Sequence, residues 1–180
     1  MAEKPLEVLI GELLRWRGLR LAVAESCTGG LLGHRITNIP GSSTYYVGSV
    51  TAYAYEAKVR LLGVRWGTLE KYGAVSQETA LEMAHGVRLA LAADVGLSIT
   101  GIAGPGGGTP EKPVGTVWIG LSSTSGRELS NATETKETQA TYEKAWSYLW
   151  EGDRLRIKEQ SAEQALKLLI AYLSDKTILP

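Results

Sequence analysis

Gly41-Ser42-Ser43-Thr44-Tyr45-Tyr46-Val47-Gly48-Ser49-Val50-Thr51-Ala52-Tyr53-Ala54-Tyr55-Glu56-Ala57-Lys58 is the stretch whose reading decides the fold. Pro40-Gly41 breaks the helical pattern before it. Two small hydroxyls follow, and then Tyr45 to Tyr53, crowded with Val, Thr and Tyr, predicts a strand. Glu56-Ala57-Lys58 opens a short helical pattern through Leu61-Leu62. A strand of about ten residues sets Ser43 and Lys58 near opposite ends. A partnership between them needs the strand to bend or a second subunit to help.

Outward from this stretch the pattern alternates. On the N-terminal side, Leu6 to Trp16 carries apolar residues at helical spacing, with Gly18 as its stop. Leu19 to Ala24 is a short apolar strand, and Glu25-Ser26-Cys27-Thr28-Gly29-Gly30 leads from it into a helix ending about Asn38. Strand, small polar and glycine residues, then helix is the layout that aims backbone N–H groups at an anion. On the C-terminal side, Ser76 caps a helix with Ala80, Met83, Ala84, Val87 and Leu91 on its apolar face. Asp94 to Thr100 reads as a buried strand, Gly101 to Gly108 as a glycine-rich loop, and Pro113 to Leu121 as a central strand. Trp146, Tyr148 and Trp150 alternate as in a strand, and Gly152 or Asp153 starts the last helix. The polar run Ser130 to Thr141 reads as a flexible loop. Strands alternating with helices imply an α/β layered fold. A chain of 180 residues supports one domain with a sizeable core.

The formal net charge is zero, which argues against an electrostatic nucleic-acid binder. One cysteine allows no intrachain disulfide and fits a reducing cytoplasm. No apolar run approaches the roughly 18 residues of a membrane span, and the amphipathic N-terminal pattern has no signal-peptide core. His34 and His85 both sit in helical patterns, and no cluster of ligand-type residues has metal-binding spacing.

Three constellations carry chemistry. Around Glu25 to Gly30, an anion site competes with a simple helix start. Glu25 repels a phosphate unless it turns to a ribose hydroxyl or a backbone group, and Cys27 at a helix start gains thiolate character, although a lone cysteine among small residues is more often packed core and no histidine stands beside it in the sequence. Ser42, Ser43, Tyr53 and Lys58 read either as turn, strand and surface residues, or as a serine nucleophile with a neutral lysine base. The lysine then needs a pKa well below its usual ~10.4. Gly101-Ile102-Ala103-Gly104-Pro105 follows a buried strand and can supply backbone donors to an oxyanion or phosphate. Asp153 reads as an N-cap, and Arg154 reads either as a surface charge or as a guanidinium suited to a phosphate.

The ordered motifs resemble the CinA C-terminal domain family over nearly the whole chain. They are Ala24 to Gly30, Gly41-Ser42-Ser43 through Ala52-Tyr53 and Ala57-Lys58, Gly73-Ala74-Val75-Ser76, Thr100 to Pro105, Lys112 to Val117, and Gly152-Asp153-Arg154. Stand-alone members of that family include nicotinamide mononucleotide amidohydrolases. The resemblance implies a three-layer α/β/α sandwich with a mixed, mostly parallel central sheet, built as one domain over residues 1–180. It implies hydrolysis of the carboxamide to nicotinate mononucleotide and ammonia, without cofactor or metal. Carried over residue by residue, the nucleophile is Ser43, with Tyr53 and Lys58 beside it. Thr100 and Arg154 face the substrate or support the catalytic groups. Ser42, Glu25, Thr28, Gly29, Gly101 and Gly104 complete the expected substrate-binding set, and backbone N–H groups near Ser42–Ser43 or in the glycine-rich loop hold the oxyanion. The resemblance also implies that the chain bends to bring Ser43 back to Lys58. The expected partners are a small nucleotide and further copies of the chain in a homo-oligomer, in the cytoplasm, with neither nucleic acid nor membrane.

The segment between Gly126 and Gly152 is longer than the family pattern, and 127–150 is expected to be an extended hairpin or loop insertion. It underlies the competing expectation, a non-catalytic module that binds a nucleotide or a protein. Larger family members carry a separate pyrophosphatase domain whose activity this sequence does not imply.

Overall fold

The computed structural model describes residues 4–124 and 142–175. The element order is α1 (Leu6–Arg17), β1 (Leu21–Glu25), α2 (Leu31–Thr37), a 3-10 turn (Ser42–Thr44), β2 (Tyr46–Thr51), α3 (Tyr55–Leu62), α4 (Trp66–Tyr72), α5 (Gln77–Ala90), β3 (Val95–Gly101), β4 (Thr116–Ser123), β5 (Tyr142–Leu149) and α6 (Arg154–Ser174). The five strands form one mixed sheet in the order β2-β1-β3-β4-β5. β2, β1 and β3 run parallel, and β4 and β5 add antiparallel neighbours.

Helices cover both faces, which makes the α/β/α sandwich. The alternation along β1 shows why. Leu21 and Val23 join a core with Ile10 and Leu14 of α1 and Leu166 and Leu169 of α6. Ala22 and Ala24 face the other way, onto Leu62, Leu69, Met83 and Val87 of α3, α4 and α5. Successive strand side chains point to opposite faces, so a strand buried on both sides reads as a continuous apolar run. The second face carries small residues so that α5 can approach. A Cβ on Gly96 would overlap the Ala84 carbonyl oxygen of α5, and one on Gly120 would lie 2.5 Å from that of Ala80.

The caps foreseen in the sequence are present. Ser76 Oγ accepts the Thr79 N–H at 3.2 Å at the start of α5, and Asp153 Oδ1 accepts the Arg156 N–H at 2.8 Å at the start of α6. Gly18 ends α1 in the left-handed region at φ +63°. The alternating aromatics fall on β5, where Trp146 pairs with Ile119 and Tyr148 with Val117. The polar run Ser130 to Thr141 lies outside the described residues. Among the described residues, no helix is long and apolar enough to cross a membrane.

Candidate active site

In parallel sheets, ligands gather beyond the carboxyl ends of the strands. At that edge Glu25, Thr51 and Ile99 stand side by side at the ends of β1, β2 and β3. The chain leaves β1 into Ser26, leaves β2 through Ala52 and Tyr53 into α3, and leaves β3 after Gly101. A cavity of about 190 Å³ opens there, with Ser26, Tyr53, Lys58, Thr100, Gly101 and Arg154 in its wall. Its two charged wall residues, Lys58 and Arg154, are both cations.

Lys58 is fully buried. Its Nζ donates to the Ser26 hydroxyl at 2.9 Å, to the Ala52 carbonyl at 2.7 Å and to the Tyr53 carbonyl at 3.2 Å. An ammonium has three N–H donors, and three acceptors meet them. When Lys58 is neutral, the two carbonyls can keep its two N–H bonds, and the lone pair then faces Ser26. Burial pushes the ammonium down from 10.5 to about 8, against a smaller opposing pull from Cys27. A lysine near 8 works as a base close to neutral pH.

The other side chains brace this pair. Arg154 donates through Nη1 to the Gly104 carbonyl at 2.7 Å and through Nη2 to the Tyr53 hydroxyl at 2.9 Å. Tyr53 therefore meets Lys58 through its carbonyl and Arg154 through its side chain. Thr100 Oγ1 donates to the Ala74 carbonyl at 2.7 Å and holds the loop after α4 against the end of β3.

Glu25 takes no open position. It is fully buried, and its carboxylate accepts N–H groups from Gly30 at 3.0 Å, Leu32 at 3.1 Å and Gly33 at 2.8 Å. The donors at the start of α2 that suggested an anion site are thus spent on the protein's own carboxylate. Thr28 is buried and Gly29 turns back on Ser26, its N–H 3.1 Å from the Ser26 carbonyl, and neither forms cavity wall. Cys27 does, but its thiol is pushed up to about 11, chiefly by burial. Desolvation outweighs the neighbouring donors and cations, so Cys27 is the packed-core cysteine of the two readings and not a thiolate.

Ser42 and Ser43 lie elsewhere. Their turn precedes β2, whereas Lys58 follows it. β2 has 6 residues, and at about 3.3 Å per residue it separates the two ends by roughly 20 Å. The chain does not bend back, so within this chain Ser43 does not meet Lys58. Ser42 is buried at the opposite sheet edge, and Ser43 is exposed there. The serine brought to the lysine is Ser26, which the sequence names only within the Glu25–Gly30 stretch, read as an anion site or a helix start and not as a nucleophile. Its signal was position: the first residue past a buried parallel strand. The histidines stand apart from the cavity, His34 within 3.4 Å of Asn38 and His85 within 2.9 Å of Glu143.

Residues 3–173 match the CinA C-terminal domain family. The chain belongs to this family. A CinA-like protein from Chloroherpeton thalassium is 50% identical over 172 residues, covering 96% of this chain and 38% of that protein. The chain therefore spans less than half the length of that relative. Among solved structures, a competence or damage-inducible protein from Enterobacter asburiae superposes with a TM-score of 0.81 at 32% identity, covering 94% of this chain and 96% of the other. The competence/damage inducible protein CihA from Agrobacterium tumefaciens gives 0.78 at 34% identity, covering 97% and 100%. In this chain the Ser26–Lys58 pair lies at the carboxyl edge of the parallel strands.

Proposed function

We propose that this CinA domain is an amidohydrolase that releases ammonia from nicotinamide mononucleotide, with Ser26 as nucleophile and Lys58 as base. The observation that carries the proposal is the buried lysine within hydrogen-bond reach of a serine in the wall of a cavity. A serine hydroxyl is nearly inert without such a base.

Neutral Lys58 takes the Ser26 proton as Oγ bonds to the carboxamide carbon. The oxyanion is held by backbone N–H groups. The Thr28 N–H, two residues past the nucleophile, makes no other hydrogen bond among the described residues, whereas the Cys27 N–H meets its own thiol. The C–N bond breaks, and Lys58 returns its proton to the departing ammonia. A water then gives a proton to Lys58 and attacks the ester carbon, and as the Oγ–C bond breaks Lys58 passes that proton to Ser26 Oγ, which frees the acid and restores both residues.

The substrate class follows from size and charge. A cavity of about 190 Å³ is smaller than the several hundred Å³ that enclose a whole drug-sized ligand. It suits an aromatic amide with the rest of the molecule outside. With Lys58 neutral, the Arg154 guanidinium in the wall favours an anionic substrate. Homo-oligomer formation belongs to the same proposal: Leu149, the last residue of the outer strand β5, is 63% exposed, and Leu155 at the start of α6 is 68% exposed. Ammonia release from nicotinamide mononucleotide by the purified protein tests the activity. Its absence would reject it.

A further inference from the structure

Beyond Arg154, one helical turn along α6, stands Lys158. A Cβ placed on Gly29 would lie 3.8 Å from Lys158 Nζ, so the ammonium hangs over the Ser26–Gly30 turn. That turn is tight, because the Gly29 N–H folds back on the Ser26 carbonyl at 3.1 Å. Gly29 has no side chain there, which leaves space beside the ammonium.

The Lys158 side chain makes no hydrogen bond or ion pair among the described residues, whereas its helix neighbours Arg156 and Lys167 face Glu159 and Glu163. The carboxylate at the start of this turn, Glu25, is occupied by three backbone N–H groups. An uncommitted cation therefore borders the nucleophile's turn. Arg154, four residues earlier on the same helix face, lies in the cavity wall.

We infer that Lys158 reads the phosphate of the substrate. The inference rests on the amidase reading above and extends it. With the carboxamide at Ser26 and the ring in the small cavity, the ribose emerges past Arg154 and its phosphate reaches the Lys158 ammonium. Lys158 thereby sets the preference for a nucleotide over the nucleoside that lacks the phosphate.

The test measures kcat/KM for ammonia release from nicotinamide mononucleotide and from its dephosphorylated nucleoside, in wild type, Lys158→Ala and Lys158→Arg. A charge-assisted contact corresponds to about 10- to 100-fold in affinity. The wild type is expected to prefer the nucleotide, and Lys158→Ala to lose about that factor through KM on the nucleotide only. Lys158→Arg should keep most of the preference. An unchanged preference in Lys158→Ala overturns the inference. If the wild type releases no ammonia from either compound, the amidase reading fails, and calorimetric binding of the two compounds decides the role of Lys158. Weaker binding of the nucleotide alone in Lys158→Ala supports it. Equal weakening, or no binding to the wild type, overturns it.

Discussion

The Lys58 ammonium stands 2.9 Å from the Ser26 hydroxyl across 32 residues of sequence. β1 and β2 are adjacent and parallel, so the segments that leave their carboxyl ends meet at one edge of the sheet. Both residues border one cavity, with Lys58 fully buried and Ser26 slightly exposed. That asymmetry suits the chemistry: the base is kept out of water, and the nucleophile is left within reach of substrate.

The pH profile should follow Lys58. Burial lowers its pKa to about 8, and the neutral form is the base. Near pH 7 about one molecule in ten is competent. The log of kcat/KM should rise with unit slope from pH 7 and level off above about 8. A profile flat between pH 7 and 9 would remove Lys58 from the role of base. The same shift has a stability sign. Between about 8 and 10.5 the unfolded chain binds the proton that the native state has released, so stability rises with pH in that window. The wild type should therefore gain stability relative to Lys58→Met as pH climbs through it, as read by urea unfolding.

Glu25 should matter for folding before it matters for turnover. Its removal in Glu25→Ala strands three N–H groups at the start of α2. Each buried orphan costs about 1–3 kcal/mol, so a loss of ~3 kcal/mol in unfolding free energy is expected. Glu25→Gln keeps the shape and one acceptor and should lose less. Equal midpoints for wild type and Glu25→Ala would contradict this role.

Cys27 should be slow to react. With its thiol pushed up to about 11, about one molecule in a thousand carries thiolate at pH 8. Alkylation of the native protein should proceed far more slowly than that of the urea-unfolded chain. Matching rates would show that burial does not protect the thiol.

Much of the fold was legible because its signals are local. The apolar run Leu19 to Ala24, the Ser76 and Asp153 caps and the Gly18 stop each act within a few residues, and each appears in the structure. Tyr53, Lys58, Thr100, Gly101 and Arg154 were also singled out, and they share one cavity. The choice of serine was not legible. Ser43 is nearer to Lys58 in sequence, but Ser26 is nearer in space, because strand order β2-β1-β3 sets the neighbours. Nothing in Tyr46–Thr51 itself announces which strand lies beside it. For Glu25 the sequence left a ribose hydroxyl and a backbone group both open, and the structure shows the backbone group. Its carboxylate folds onto the next helix, and a one-dimensional pattern cannot show where a side chain turns.

The most direct measurement is ammonia release from nicotinamide mononucleotide by Ser26→Ala and Ser43→Ala beside the wild type, with urea unfolding to confirm that both variants fold. The Ser26–Lys58 account predicts that Ser26→Ala is folded and inactive while Ser43→Ala, changed at an exposed position on the opposite sheet edge, turns over substrate. A folded Ser26→Ala that still releases ammonia, or a folded Ser43→Ala that does not, would contradict it.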